Sequence, residues 1–126
     1  MKTITIGTFL SENKERLGLE LIAGKNGLNN VIVSPELNRP GLALAGFVDL
    51  FTYNRAQLLG NTEMLYLETL PKKKRIASIE IICQFDLPCI LITNGISAPA
   101  EMIEICRAKK IPLIVSSLST TQFVHL

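Results

Sequence analysis

The chain has 126 residues, enough for one compact domain with a single core and too few for two ordinary domains. Hydrophobic residues make up 48% and charged residues 19%, which is the composition of a globular protein rather than a disordered or fibrous one. The 13 Lys and Arg against 11 Asp and Glu leave a net charge of +2, too small an excess to indicate a nucleic-acid-binding protein.

The first part of the chain alternates between helix and strand patterns. Apolar residues at helical spacing predict a helix over residues 6–17, with Thr5 as its cap and Gly18 at its end. Partial alternation predicts a strand over Leu19–Ala23, and a β-branched run predicts another over residues 31–34.

The middle of the chain is less regular. Two prolines and two glycines within residues 35–46 predict a break in regular structure. We expect a strand over Ala56–Leu59 and then a helix that begins at Asn61 or Thr62 and runs through Leu70. Pro71 closes that helix or begins the next one, and apolar residues continue at helical spacing to Cys83.

The last third carries the strongest local pattern. A continuous apolar run over residues 87–93 predicts a buried strand, the Asn94-Gly95 pair a turn, and residues 99–109 a helix. A further strand follows over residues 111–115, so this segment predicts a β-α-β unit with two parallel strands. The tail, 116–126, predicts no further element. The fold class is therefore α/β, which we take as one domain with a mixed sheet and flanking helices.

Cysteine and histidine content argues against metal and redox chemistry. The three cysteines, Cys83, Cys89 and Cys106, are an odd number without a Cys-x-x-Cys pair, and the one histidine, His125, is penultimate. We expect buried, reduced thiols in a cytoplasmic protein, because no signal cleavage site and no uncharged apolar run of about 20 residues occurs.

Catalytic motifs are incomplete. Gly41 and Gly46 have the glycine spacing of a phosphate-binding P-loop, but Phe47-Val48 stands where that loop needs Lys followed by Ser or Thr. A base at His125 could not be held within reach of a nucleophile, since chain ends fray. The sequence therefore predicts a chain that is not an enzyme and holds no cofactor or metal.

A basic run stands out among the charged residues. A helix that starts near Pro71 would carry Lys72, Lys73, Lys74 and Arg75 at its positive end. This placement is electrostatically unfavourable by a few tenths of a kcal/mol for each residue. They form either a docking patch for an acidic partner or an ordinary solvated face.

Two loops are further candidates for a binding site. Gly95 follows a strand and precedes a helix, where open α/β sheets bind ligands, and Ser116, Ser117 and Ser119 should reach the same edge. The same small polar residues are also ordinary in turns. Arg39-Pro40-Gly41 predicts a rigid turn that presents an exposed arginine.

Several segments resemble one known family. The strings Asn38-Arg-Pro-Gly-Leu-Ala-Leu-Ala-Gly46, Gln57-Leu-Leu-Gly60 and Asn61-Thr-Glu63 are similar to the N-terminal domain of bacterial HPr kinase/phosphorylase. Leu19-Glu-Leu-Ile-Ala-Gly24 resembles the family's opening, and Pro88-Cys-Ile-Leu-Ile-Thr93, Ile111-Pro-Leu-Ile114 and Leu118-Ser-Thr120 resemble its close. The resemblance covers nearly the whole chain in order.

The resemblance implies a role in regulation rather than catalysis. The family's enzymes phosphorylate a serine of the phosphocarrier protein HPr with ATP, and reverse this with inorganic phosphate, in carbon-source regulation. That activity, with its ATP and magnesium, belongs to a separate C-terminal P-loop domain that this chain lacks, so no catalytic residue carries over. The resemblance also implies the fold of the first domain of muramyl ligases, which contacts a uridine nucleotide, and hexameric full-length enzymes with projecting N-terminal domains.

A second family shares the pattern of strand, turn, helix, Ile-Pro strand and Ser/Thr tail. These are small regulatory domains with an Asp-Arg-Thr-Gly-Gly motif, attached to phosphotransacetylases and some pyrophosphatases. That motif does not occur in this sequence, so the second family ranks below the first.

Two hypotheses for the role of the chain remain. It is an interaction or assembly module that contacts another copy, the catalytic domain of the same enzyme, or HPr, through Arg39 and residues 72–75. Alternatively it is a sensor that binds a nucleotide or phosphorylated metabolite around Gly41, Gly95, Ser116 and Ser119. Neither hypothesis involves nucleic acid or a membrane.

Overall fold

A computed structural model describes residues 3–33 and 36–125 of the chain. These residues form seven strands: β1 (Ile4–Thr5), β2 (Leu19–Ala23), β3 (Val31–Ile32), β4 (Leu37–Asn38), β5 (Ala56–Leu59), β6 (Ile90–Ile92) and β7 (Leu113–Ser116). They form six α-helices: α1 (Ile6–Asn13), α2 (Gly41–Leu44), α3 (Asn61–Thr69), α4 (Lys72–Cys83), α5 (Ala100–Lys109) and α6 (Thr120–Val124).

Five strands make a mixed sheet in the order β2-β7-β6-β5-β4. The strands from β4 to β7 are parallel and lie side by side in chain order, while β2 pairs with β7 in the antiparallel direction. The predicted β-α-β unit is confirmed as β6-α5-β7, and the mixed α/β fold with flanking helices is confirmed with it. Strands β1 and β3 form a small separate antiparallel sheet.

The sheet separates two apolar cores. Successive side chains of a strand point to opposite faces, so Ile90 and Ile92 of β6 enter one core and Leu91 enters the other. The larger core contains buried side chains of α2, α3, α4 and α5, whereas the smaller one contains Ile6 of α1 and Phe123 of α6. Because both faces are covered, β5 and β6 are buried throughout; β6 is wholly apolar, and β5 is apolar except for the buried Gln57.

The tail contains an element that the sequence reading did not predict. Helix α6 begins after Ser119, whose Oγ accepts a hydrogen bond from the backbone N–H of Gln122 at 3.1 Å. The Gln122 side chain accepts in return from the backbone N–H of Ser119, also at 3.1 Å. This reciprocal pair is a capping box, and Phe123 anchors the short helix in the smaller core. The expectation of an unstructured tail was therefore wrong.

Other boundaries shift for local reasons. Helix α1 ends at Asn13 rather than near residue 17, because residues 14–18 form a turn that closes with Gly18 at a φ of +59°. The predicted break over residues 35–46 contains β4 and α2, both too short to show a period. The predicted strand over residues 31–34 is observed as β3, and residues 34 and 35 lie outside the described residues.

The structure also bears on the predictions for the cysteines and for membrane-spanning segments. Cys83, Cys89 and Cys106 are all buried and unpaired, which confirms that part of the expectation. Within the described residues, no helix combines the length and the apolar character needed to cross a membrane.

Candidate functional site

The loops that follow the parallel strands meet at one edge of the sheet. Arg39 follows β4, Gly60 follows β5, Thr93 follows β6, and Thr120 comes shortly after β7. This carboxyl edge is where open parallel sheets most often place a ligand or a functional contact. The sequence reading placed Gly95 at this edge and Arg39 in an exposed turn, but it did not connect them with one another.

An ion pair joins two of these loops. The Arg39 Nη2 atom donates to Glu63 Oε1 at 2.7 Å, and the same carboxylate oxygen accepts from the Gly60 backbone N–H at 2.7 Å. Glu63 is buried, with 6% of its side chain exposed, whereas Arg39 is 45% exposed. The remaining N–H groups of the Arg39 guanidinium have no acceptor within residues 3–33 and 36–125, so its outer side is open to a partner.

Gly60 makes room for this arrangement. A Cβ atom at Gly60 would lie 2.5 Å from Arg39 Nη2 and 2.7 Å from Thr120 Oγ1, too close for either contact. By contrast, a Cβ atom at Gly41 would have Glu63 Oε2 as its nearest neighbour at 4.0 Å. The guanidinium group therefore rests on the bare backbone of Gly60, while Gly41 is not needed for space.

A second polar group lies beside the ion pair. The hydroxyls of Thr93 and Thr120 hydrogen-bond each other at 2.7 Å, and the Asn94 side-chain amide lies 3.3 Å from both oxygens. Asn94 and Gly95 adopt left-handed φ values of 64° and 62°, and Gly95 is exposed with open space around its Cβ direction. Thr93 and Thr120 are residues that the sequence reading missed, whereas the Asn94-Gly95 pair was already noted as a turn.

The predicted serines reach the same edge, but their hydroxyls are used within the fold. The Ser116 carbonyl accepts from the Gly95 backbone N–H at 2.9 Å, which brings the two positions together as expected. The Ser116 side chain is buried, however, where it donates to the Leu17 carbonyl and accepts from the Leu118 N–H at 3.1 Å. Ser119 Oγ is taken up in capping α6. The Ser116 hydroxyl is therefore enclosed within the fold, whereas the Ser119 hydroxyl caps α6 at the exposed surface.

An exposed apolar surface adjoins Arg39. Leu42 is 70% exposed, Phe47 49% and Leu50 82%, and together with Arg39 they line one shallow cavity of about 130 Å³. We call these four residues the Leu50 surface. Clustered apolar exposure of this kind is more typical of interaction sites than scattered single exposed residues are.

The basic run divides into two parts. Lys72, Lys73 and Lys74 are exposed in the first turn of α4, and none of them makes an ion pair or hydrogen bond with the residues that the structure describes. Arg75 turns inward instead, where it donates to the carbonyls of Leu67 at 2.9 Å and Leu70 at 3.0 Å. Arg75 therefore does not belong to the exposed patch with which the sequence reading grouped it.

Arg75 also ties α4 to α5. Its Nη1 atom donates to Glu101 Oε1 at 2.7 Å, and both side chains are mostly buried, at 23% and 14% exposed. The hydrogen bond from Arg75 is the main cause that lowers the pKa of the Glu101 carboxyl. Through these contacts Arg75 links the start of α4 to the end of α3 and to α5.

Two of the three buried thiols have raised pKa values. Burial raises the pKa of Cys89 to about 12, and contact with Cys83 together with burial raises the pKa of Cys106 further. Thiols with raised pKa values stay protonated at neutral pH and are poor nucleophiles and metal ligands. Across the described part of the chain, no group of three or more His, Cys, Asp and Glu could hold a metal ion.

The fold is shared with a regulatory domain. Over 93% of this chain, and 44% of the other, the structure resembles the CBS and DRTGG domains of the regulatory region of Clostridium perfringens pyrophosphatase, with a TM-score of 0.63. That structure was solved in complex with an activator, diadenosine tetraphosphate. The sequence identity is 12%, so the likeness concerns the fold alone. It explains why the second family matched the pattern of elements without sharing the motif.

The sequence comparisons define the family. Residues 4–126 match the family described as the HPr Serine kinase N terminus. The chain is 37% identical over 131 residues to the HPr kinase/phosphorylase of Chloroherpeton thalassium and 38% identical over 111 residues to that of Treponema pallidum subsp. pallidum. The chain therefore belongs to this family. These alignments cover 99% and 88% of this chain, but only 37% and 35% of the two relatives.

Proposed function

We propose that this chain is a non-catalytic interaction module that helps to assemble HPr kinase/phosphorylase or to position its partners. The observation that carries the proposal is the Leu50 surface, on which three exposed large apolar side chains and one half-exposed arginine line the same cavity. Aromatic and arginine side chains with an apolar centre are the typical composition of an interface core. Leaving such side chains in water costs free energy that docking recovers.

The partners proposed are another copy of the chain, the catalytic domain of the same enzyme, and HPr in the full-length context. In this proposal the serine phosphorylation of HPr, with ATP and magnesium, takes place in the catalytic domain and serves carbon-source regulation. Lys72, Lys73 and Lys74 offer a second contact for an acidic partner, since they are exposed and make no ion pair or hydrogen bond with described residues.

A chimeric enzyme tests the proposal. The chain replaces the matching N-terminal segment of the Chloroherpeton thalassium enzyme, in wild-type form and with Leu42→Ser and Phe47→Ser combined. Light scattering after size exclusion measures the assembly, and phosphate transfer to HPr measures activity. We expect the double variant to dissociate at concentrations at which the wild-type chimera stays assembled.

The matched control is Leu65→Ser, because Leu65 is 61% exposed on α3 and lies outside the Leu50 surface. The control chimera should assemble and phosphorylate HPr like the wild type. If the double variant also assembles and reacts like the wild type, the Leu50 surface has no part in assembly or partner positioning, and the proposal fails.

A second candidate function is the sensing of a small molecule at the carboxyl edge. The observation in its favour is the cluster of Thr93, Asn94 and Thr120 beside the exposed Gly95 and the open side of Arg39. Suitable ligands are nucleotides and phosphorylated metabolites, among them the uridine nucleotides suggested by the resemblance to muramyl ligases.

A thermal-shift screen separates this candidate from the first. Nucleotides, UDP-sugars, diadenosine tetraphosphate, sugar phosphates and inorganic phosphate are tested in turn. A ligand at 100 times its dissociation constant stabilises the folded state by about 2.7 kcal/mol, which is readily measured. Binding that is lost on Gly95→Val supports the edge site, whereas a flat screen argues against sensing.

A further inference from the structure

A cavity of about 600 Å³ lies where the chain enters the parallel strands β5, β6 and β7, at the edge of the sheet opposite the carboxyl edge. Its lining comes mainly from the approach to β3, the connection from α4 to β6 and the connection from α5 to β7. Small-molecule sites typically hold roughly 300–1,000 Å³, so this amino-edge cavity has the size of a ligand site. We propose that it binds a small organic carboxylate with an apolar body. The cavity shares no lining residue with the Leu50 surface, so this inference goes beyond the proposed function and does not depend on it.

Part of the lining is apolar and exposed. Val31 and Val33 are 44% and 39% exposed, although valine side chains are more stable when buried. The ring of Phe85 is half-buried and packs against the rings of Phe51 and Tyr53, with centroids 5.2 Å apart in each pair. These contacts hold Phe85 in place, so the apolar surface is formed before a ligand arrives. An apolar body that covers these side chains removes them from water and thereby favours binding.

A polar side chain holds the lining together. The Asn30 amide nitrogen Nδ2 lies within hydrogen-bond distance of the carbonyls of Lys110 at 3.3 Å, Pro88 at 3.4 Å and Leu87 at 3.5 Å. One side chain therefore joins the approach to β3 to both of the other connections that line the amino-edge cavity. Because these links form without a ligand, the cavity has a fixed shape, which lowers the entropic cost of binding.

The charged residues of the lining favour an anion. Lys109 and Lys110 are exposed at the end of α5, and neither side chain makes an ion pair with a described residue. Asp86 supplies the only acidic side chain among the described residues that line the cavity. Two lysines against one aspartate leave the lining with a net charge of +1, which a single carboxylate balances.

The backbone at Lys110 indicates a function for its side chain. Helix α5 ends there with φ +59° and ψ +42°, a left-handed conformation that favours glycine and that lysine rarely adopts. The negative end of the helix already carries Arg107 and Lys109, so its dipole does not require a third cation. A lysine retained where glycine would be more stable is explained if its ammonium group binds the carboxylate.

An NMR titration of the isotope-labelled chain with phenylpropionate, which joins a benzene ring to one carboxylate, tests the inference. We expect saturable shifts of the backbone amide signals of Val31, Phe85 and Lys110. Phenylpropanol has the same ring without the charge, and propionate has the same charge without the ring. Each should bind at least tenfold more weakly than phenylpropionate, because each uses only one part of the lining.

Lys110→Gly separates binding from folding. We expect at least tenfold weaker binding of phenylpropionate, while the Tm rises by roughly 2–4 °C because the left-handed position no longer holds a lysine. A higher Tm excludes unfolding as the cause of the lost binding. Lys14→Ala is the matched control, since it removes one exposed lysine charge away from the cavity and should leave the affinity unchanged.

The absence of saturable shifts at the amino-edge cavity, equal affinity for phenylpropanol, or an unchanged affinity in Lys110→Gly would each overturn the inference. Tighter binding of phenyl phosphate than of phenylpropionate would overturn it as well, because the lining would then prefer two negative charges to one. None of these results affects the Leu50 surface, which the assembly of the chimeric enzyme tests separately.

Discussion

Gly60→Ala is the change that most directly tests the geometry of the carboxyl edge. Its backbone, at φ −100° and ψ −160°, is extended and open to any residue, so alanine meets no backbone strain there. The new methyl group would instead lie 2.5 Å from Arg39 Nη2 and 2.7 Å from Thr120 Oγ1. These side chains must give way, and we expect the guanidinium group to be displaced from Glu63.

The cost follows from what Arg39 leaves behind. Glu63 is buried, so its carboxylate would keep the Gly60 N–H and lose its charged partner. A hydrogen bond to a charged group contributes roughly 1.5–3 kcal/mol, a figure reduced here because Arg39 is 45% exposed and partly screened by water. We therefore expect a loss of about 1–2 kcal/mol, or a decrease in Tm of roughly 3–10 °C for a chain of this length.

Thermal and urea unfolding of matched variants measure this loss. Gly41→Ala is the control, because its methyl group has no neighbour closer than 4.0 Å, and it should be neutral or slightly stabilising. In an Arg39→Ala background most of the penalty for Gly60→Ala should disappear, since the ion pair that it breaks is already gone and only the contact with Thr120 remains. Equal stability of Gly60→Ala and wild type, or the same penalty in both backgrounds, would refute the reasoning.

Three further predictions concern the rest of the fold. Glu101→Gln should lower the free energy of unfolding at pH 7. The difference from the wild type should shrink as the pH falls below the ordinary carboxyl pKa of 4.5, because a lowered pKa contributes stability only while the carboxylate is ionised. Urea unfolding of both proteins at pH 7 and pH 3 measures this difference. Cys89 should resist iodoacetamide in the native state and react only after unfolding in guanidinium. If Cys89 of the folded protein reacted as fast as an exposed free thiol, it would be accessible and this prediction would be wrong. Ile79→Ala should cost about 2–4 kcal/mol in urea unfolding, since Ile79 is fully buried in the larger core, and a cost under 1 kcal/mol would place it outside that core.

The fold was predictable where sequence periods are long. The apolar run before Asn94 and the helix before Lys109 gave the β6-α5-β7 unit, because buried parallel strands and a ten-residue helix leave clear patterns. Helix α6 has five residues and buries mainly Phe123, too few for a period. Its available signal was the Ser119-x-x-Gln122 spacing of a capping box.

The candidate site was less predictable, because its contacts join distant parts of the chain. Arg39 was singled out for its turn, whereas Glu63 is 24 residues away and was named only as part of the family resemblance. Thr93 and Thr120 are 27 residues apart and meet only because β6 and β7 are neighbours. The spacing within 72–75 could not show that Arg75 turns inward, since its partners lie at the end of α3 and in α5.

The antiparallel edge strand β2 determines when the domain can complete its folding during translation. Strand β2 pairs only with β7 in the large sheet, and the Ser116 hydroxyl bonds the Leu17 carbonyl across 99 residues of sequence. In a chain emerging from the ribosome β2 is made early, but it cannot dock until its partner β7 has been translated near the other end of the domain. Nascent chains halted before β7 should therefore leave β2 unprotected against proteolysis, and the domain should become resistant in one late step.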